Sequence, residues 1–481
     1  MVHSALSRLI WLGPVLLVVA CTSDDDVVDT DTGVDTETED TDTDDTDTDT
    51  DTDETDTDTD ETDTDTDTDT DTDTDTDTGP CVPVAPHPQS FVKGELQGPE
   101  SSAPGVTHIQ RVKLFSTGSA ELLVSDAWQS RLRWLGNCDS SGSCDTEDLV
   151  AEWGQPSRSA VADMNGDGRM DVVVADIGSV FPTPDPVATV RLLTAKSGGG
   201  FTATDVATFL GRTTCATPAD LDGDGDLDLV VCEFGAEDGS LLWLEQDGTD
   251  WIRHRILEVT GPTDAWPVDL DGDGDLDLMS AVSQLEETVY VYENDGSGGF
   301  TRQQDAFKAT EDYWGMSGLQ LADLDGDGDM DAVLTNGDSL DGDLPPDVAP
   351  DAHYGVQWLE NLGSWQWKTH EIVRHWGAYT TRIGDIDGDC DPDIAVSSVQ
   401  EVSVFPDRTM PIEPLFWLEQ TSAGNFTKHT IDVDGLEPIL FAMELLDVDD
   451  DGKLDIVAGP LDLTVVKVKE PHVVWWRGKW D

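Results

Sequence analysis

Five aspartates crowd into the nine residues D-L-D-G-D-G-D-L-D that begin at Asp220, and nearly the same string returns from Asp269 and from Asp323. Looser copies start at Asp163 (D-M-N-G-D-G-R-M-D), Asp385 (D-I-D-G-D-C-D-P-D) and Asp447 (D-V-D-D-D-G-K-L-D). Carboxylates about 4 Å apart repel one another even in water, and more strongly in a partly dry loop. A loop of this composition anticipates a cation.

Aligned within the one chain, the six copies separate ligand positions from the rest. Positions 1, 5 and 9 are always Asp: Asp163, Asp167 and Asp171; Asp220, Asp224 and Asp228; Asp269, Asp273 and Asp277; Asp323, Asp327 and Asp331; Asp385, Asp389 and Asp393; Asp447, Asp451 and Asp455. Position 3 is Asn165, Asp222, Asp271, Asp325, Asp387 or Asp449. Position 7 is Arg169, Asp226, Asp275, Asp329, Asp391 or Lys453, and a place that accepts both signs cannot supply a side-chain ligand. Its backbone carbonyl still can. Calcium takes six to eight oxygens at about 2.3 to 2.6 Å, which three or four carboxylates, one carbonyl and water provide; magnesium demands stricter octahedral geometry and keeps its waters. Glycines at positions 4 and 6 let the chain curl with positive φ. An EF-hand needs an acid at position 12, where this chain has Val174, Val231, Ser280, Leu334, Val396 and Ala458. Metal-free Asp-Gly turns are the remaining alternative, and they need one or two aspartates rather than four. Cys390 and Pro392 at positions 6 and 8 of the Asp385 loop, and Asp450 in place of glycine in the Asp447 loop, lead us to expect those two sites to be weaker or distorted.

The elements that must hold these loops repeat with them. Successive loops start 57, 49, 54, 62 and 62 residues apart. Each is followed by a short apolar run such as D-L-V-V-C, then by a second stretch such as L-L-W-L-E or V-Y-V-Y-E, and often by a third such as F-T-K-H-T-I. These are β signals, rich in branched and aromatic residues and bounded by Gly and Asp. One unit reads strand, acidic loop, strand, strand, strand, which is a propeller blade. A seventh unit without the aspartates starts at His108. The fold expected is therefore all-β, a seven-bladed β-propeller over residues 81–481. Its last unit stops at its third strand, V-V-W-W-R-G-K-W-D, and S-F-V-K-G-E-L near Ser90 is expected to supply the missing outer strand and close the ring.

The unit resembles the FG-GAP/VCBS repeat family, the calcium-binding propellers whose best-known members form the head of integrin alpha subunits. The resemblance covers about four fifths of the chain. It implies bound calcium and partners on the face opposite the calcium loops.

Outside the repeats, the chain begins with Arg8 and an apolar run ending V-V-A-C at Cys21. That run suits a secretory leader, residues 1–20, and is too short for a spanning helix. Small residues before a cysteine resemble a bacterial lipobox, which implies lipidation of Cys21 and an address at the outer membrane or cell surface; an ordinary signal peptide is the alternative. Residues 21–80 are largely an Asp-Thr alternation, with 29 acids and no Lys or Arg between Thr22 and Thr78. Such a segment buries too little apolar surface to offset its ordering entropy and is expected to be a disordered, extended stalk reaching on the order of 190 Å.

Charge limits the partners. The whole chain carries a net charge of −77, and residues 79–481 alone hold 73 acids against 24 bases, a net of −49. Nucleic acid and anionic lipid both require Lys and Arg against phosphate, so neither is expected and the membrane is met only through the anchor. Setting Cys21 aside leaves six cysteines that an exported chain can oxidise. Cys138 with Cys144 is the easiest pair, Cys215 and Cys232 flank the Asp220 loop on neighbouring strands, and Cys81 with Cys390 remains.

With acidic loops between strands one and two, the longer insertions and the segments D-A-W-P, D-Y-W-G and H-W-G-A-Y fall on the other face. Trp266, Tyr313, Trp314, His375, Trp376 and Tyr379 could there stack on sugars or pack between blades, as Trp243, Trp358 and Trp417 of the W-L-E strands are expected to do. No G-x-S-x-G, H-E-x-x-H or phosphate loop occurs. The expected function is a surface-anchored, monomeric calcium-binding module for an extracellular protein or glycan, with a carbohydrate-active lyase- or dehydratase-like enzyme as the alternative.

Overall fold

The computed structural model describes residues 88–481, except 89, 101, 116–119, 152–153, 182, 236–238, 285, 312, 339–347, 401–411, 432–438, 463–469 and 481. The leader, Cys21, the Asp-Thr stalk and Cys81 lie outside the described residues.

Seven antiparallel sheets form the propeller. Blades 1 to 6 occupy residues 106–151, 156–210, 213–258, 262–308, 318–374 and 378–430, each counting its strands outward from the axis. Blade 7 takes three strands from residues 440–479 and its fourth from Ser90–Pro99. That closing strand runs antiparallel to Pro471–Lys479, from Ser90 opposite Lys479 to Pro99 opposite Pro471, with an irregularity between Glu95 and Gln97. The expected ring closure is thus present, and it covers an edge that would otherwise offer unpaired backbone to another chain. Blade 4 departs from the regular pattern: its outer strand is split into Thr301–Arg302 and Phe307–Lys308, which both pair with Thr288–Glu293.

Alternation explains the packing. Second strands such as Asp171–Asp176 and Asp277–Val282 are buried on both faces because blades lie on either side, and they read as unbroken apolar runs. Outer strands such as Asp250–Glu258 are mostly exposed. Trp243, Trp358 and Trp417 are buried between blades, Trp243 against Leu278 and Tyr290 of the next sheet and Trp358 against Ile394 and Phe416. Leu-, Val- and Trp-rich clusters of this kind recur around the ring in place of one central core.

A second set of links is polar. Thr107 Oγ1 donates to Pro156 O at 2.7 Å, Ser157 Oγ to Thr213 O at 2.8 Å, Thr214 Oγ1 to Pro262 O at 3.0 Å, Ser317 Oγ to Ala378 O at 3.1 Å and Thr380 Oγ1 to Phe441 O at 2.7 Å. Each hydroxyl sits near the start of an innermost strand and ties one blade to the next. Individually such bonds contribute about 1 kcal/mol; as a series they fix the angular spacing of the blades.

Two disulfides form as expected, Cys138–Cys144 and Cys215–Cys232. Cys390 is also disulfide-bonded. Covalent links of this kind point to an oxidising, extracytoplasmic compartment.

Candidate metal loops and the opposite face

All six acidic loops connect the first and second strands of their blades, on one face of the ring. Register places position 9 at the same point in each: Ala162 faces Asp171, Ala219 faces Asp228, Val268 faces Asp277, Ala322 faces Asp331, Gly384 faces Asp393 and Leu446 faces Asp455. Positions 4 and 6 take positive φ throughout, from Gly223 at 73° and Gly225 at 93° to the two non-glycines, Cys390 at 79° and Asp450 at 56°. Cys390 and Asp450 thus carry the same positive-φ curl as the glycines, while the Asp447 loop anchors its first aspartate from Asp451 N and Gly452 N. Cys390 and Asp450 adopt the glycine conformation at a cost on the order of 1 kcal/mol each.

The curl brings carboxylates together. Asp220, Asp222 and Asp224 each place an oxygen within 4.8 Å of the others, as do Asp269, Asp271 and Asp273, Asp323, Asp325 and Asp331, Asp385, Asp387 and Asp393, and Asp447, Asp449 and Asp455. Positions 1 and 3 are common to all five groups, and the third member is position 5 or 9. Position-7 side chains belong to none, in keeping with a carbonyl-only role. In the Asp163 loop, Asn165 reduces the carboxylates, and Arg169 pairs with Asp167 while its Nε donates to Ala195 O at 3.4 Å.

Backbone N–H groups hold the acids in place. Gly223 N and Gly225 N donate to the two oxygens of Asp220 at 2.8 and 3.1 Å, and the Asp269 and Asp323 loops repeat the arrangement. Position 9 ties the loop to the blade: Asp228 accepts from Leu221 N at 3.3 Å and from Gln246 N on the third strand at 2.8 Å. Burial, reinforced by neighbouring carboxylates, pushes Asp228, Asp277 and Asp331 up to about 6 and Asp393 and Asp455 up to about 8. A bound divalent cation would reverse that preference and favour the charged form. Three oxygens in the loops, Asp171 Oδ2, Asp325 Oδ1 and Asp449 Oδ1, are buried without a hydrogen-bond partner. Orphaned carboxylate oxygens inside an acidic cluster fit a hard cation better than they fit a metal-free turn.

Blade 1 lacks the aspartates and ties the start of its second strand by hydrogen bonds. Its position 9 is Glu121, which faces Val112, and a single oxygen, Oε2, accepts from Leu114 N, Phe115 N and Trp134 Nε1 at 2.9, 2.9 and 3.0 Å. The sequence reading missed two neighbouring features. Trp243, Trp358 and Trp417 stack on His254, His370 and His429, whose Nε2 atoms lie 2.5 Å from Glu245, Glu360 and Glu419. The repeated W-L-E and the histidine of the following strand were the available signal. Asn294 Nδ2, in turn, donates to Leu221 O of the preceding blade's loop at 2.8 Å and to Leu276 O of its own at 3.0 Å, which no local pattern discloses.

On the opposite face the expected aromatic cluster divides. Trp376 is only 2% exposed and packs on Tyr354, and His375 is buried with Nε2 against Glu413 O at 3.0 Å. Enclosure, with the nearby Lys428 ammonium, holds His375 down to about 4. Trp266 lies within an innermost strand and donates from Nε1 to Leu319 O at 3.0 Å. Trp314 packs on Phe307 and Tyr313 on His353. D-Y-W-G and the start of H-W-G-A-Y are connections as expected, whereas D-A-W-P is part of an innermost strand instead, and packing against neighbouring elements consumes most of these rings. Tyr379 alone remains at the channel mouth, beside Phe441.

The fold is a seven-bladed β-propeller whose acidic turns could hold metal ions. Residues 163–231, 220–280 and 269–334 match the FG-GAP-like repeat, so the chain carries three such repeats by sequence and further loops of the same geometry beyond them. No curated protein matches the chain. Among solved structures it is similar to rhamnogalacturonan lyase YesW, at 12% identity and a TM-score of 0.40 over 80% of this chain and 75% of that one. It is also similar to BBS1N in complex with ARL6DN, at 10% identity and a TM-score of 0.45 over 81% of this chain and 95% of that one.

Proposed function

We propose that this chain is an exported calcium-binding propeller, held at the cell surface by lipid on Cys21 and presenting the face opposite its acidic loops to an extracellular ligand. The observation that carries the reading is the gathering of three carboxylates within 4.8 Å in each of five loops, with orphaned oxygens among them. Calcium would be held by positions 1, 3, 5 and 9 and by the carbonyl of position 7, where it supplies charge neutralisation and cross-links the first two strands of a blade. The Asp-Thr stalk, with its self-repelling charge, keeps the propeller clear of the membrane.

Membrane fractionation of the full chain and of Cys21→Ser tests the anchor: the wild type should sediment with membranes and the variant should be released. Protein and glycan arrays probed with and without chelator test the binding role. Calcium-dependent capture of a ligand left chemically unchanged supports it, and shortened or unsaturated glycan products would favour the enzyme instead.

A further inference from the structure

The channel mouth opposite the acidic loops carries four aromatic rings from four blades. Trp128, in the turn after the second strand of blade 1, stacks on Phe181 of the corresponding blade 2 connection, with centroids 5.8 Å apart and an interplanar angle of 27°. Its Nε1 donates to Asp462 O of blade 7 at 2.9 Å, which fixes the indole over the junction. Tyr379 and Phe441, where the innermost strands of blades 6 and 7 begin, pack with centroids 4.8 Å apart. Buried Val399, Ile439 and Leu461 join Trp128, Tyr379 and Phe441 into a continuous apolar floor. Phe181 is 42% exposed and the other three residues are partly buried, so none of the four is fully enclosed.

Below the floor the channel is polar. One strand residue deeper, roughly 3.3 Å, come His108, Arg158 and Asp264, with Arg158 of blade 2 reaching past blade 3 to pair with Asp264 of blade 4. Two residues further lie Arg382 and Glu444, with Arg382 Nε donating to Glu444 at 3.3 Å. Enclosure and the fields of Arg158 and Arg382 hold His108 well below its usual value, and Ser159 N donates to its Nδ1 at 3.4 Å. The two ion pairs present fixed donors and acceptors with no net charge between them.

We infer that this mouth is the ligand site of the proposed binding module and that its ligand is a neutral glycan chain; the inference rests on the binding role stated above. Sugar rings offer flat C–H faces that lie on aromatic side chains, and the hydroxyls around their edges take up donors and acceptors in the channel, the combination of apolar wall and few convergent polar groups typical of small-ligand sites. A body with a net charge of −49 repels a polyanionic chain. A protein ligand of standard affinity covers about 800 Å² and 20 to 30 residues on each side, far more than four rings supply.

Calorimetry on the calcium-loaded propeller tests this with neutral gluco-, xylo- and manno-oligosaccharides, and with polygalacturonate as the anionic arm. At least one neutral series should bind. Phe181→Ala should weaken it tenfold or more without changing the melting temperature or calcium content and Tyr379→Ala should do so at unchanged calcium content, while Phe209→Ala, a control ring 79% exposed on the outer strand of blade 2, should leave it unaltered. Binding to polygalacturonate alone, binding to no neutral series, or neutral binding indifferent to both variants would overturn the assignment. Calcium-dependent capture of a protein ligand with no glycan binding would also overturn it, yet leave the binding role standing; loss of all calcium-dependent binding would remove both.

Discussion

Chelating the divalent ion should lower the melting temperature by an amount that salt then partly restores. Three carboxylates within 4.8 Å make three pairs per loop, in each of five loops. At that spacing each pair repels by about 0.9 kcal/mol in bulk water, reduced to about 0.5 by screening at 0.15 M salt. Fifteen such pairs come to about 7 kcal/mol, a lower bound because shorter separations and lost coordination add to it. For a folded body of about 390 residues the unfolding entropy is about 0.8 kcal/mol per degree, so the shift should be at least about 9 °C. Differential scanning calorimetry with calcium and with EDTA measures it, at about pH 9 so that Asp393 and Asp455, which burial lifts to about 8, are ionised and all fifteen pairs are charged. In 1 M NaCl, where the screening length is about 3 Å, more than half of the repulsive part of the loss should return in the EDTA sample. A shift of a degree or two, or one that salt does not alter, would refute the reasoning.

Three further outcomes follow from named contacts. Burial lifts Glu287, which is 6% exposed, from 4.5 to about 7 against bonds from Met316 N and Ser283 Oγ. The folded state therefore holds this proton more tightly than the unfolded chain, so stability is full below about pH 4.5 and falls as pH rises through about 7, by up to about 3 kcal/mol; Glu287→Gln should flatten that part of the urea-melt profile. Asn294→Ala leaves Leu221 O and Leu276 O without their donor and should cost about 2 kcal/mol, with calcium affinity of the Asp220 loop lowered as read by calorimetry. Deleting residues 82–100 removes the closing strand and bares the edge of Pro471–Lys479, so the product should aggregate or melt much lower in light-scattering and thermal scans; unchanged stability would show that the ring does not need this closure.

Much of the architecture was legible because one pattern was written six times. The fixed aspartates at positions 1, 5 and 9 and the apolar runs after them gave blade number, strand order and loop face, and the incomplete last unit pointed to Ser90–Pro99 as its outer strand. Comparing copies also separated the position-7 side chains from the carboxylate groups. What sequence could not convey depends on contacts between blades. The aromatics chosen from H-W-G-A-Y and D-A-W-P looked available only because a linear reading cannot see Tyr354 against Trp376 or Leu319 O beneath Trp266. Trp128 and Phe181 went unremarked for the converse reason, since they are 53 residues apart in the chain and meet only because consecutive blades turn about one axis. At Cys390 and Asp450 the residue type argued against a glycine-like turn, yet both take positive φ, because the flanking strands impose it.

Metal content of the native chain is the most direct test. Purified without added metal or chelator and dialysed against metal-free buffer, the protein should retain close to five calcium ions or more per chain by plasma mass spectrometry, and substituting Asp323 and Asp325 together with Asn should remove about one. Background-level calcium in correctly folded protein, or a content unmoved by that double substitution, would contradict the claim that ions hold the acidic turns.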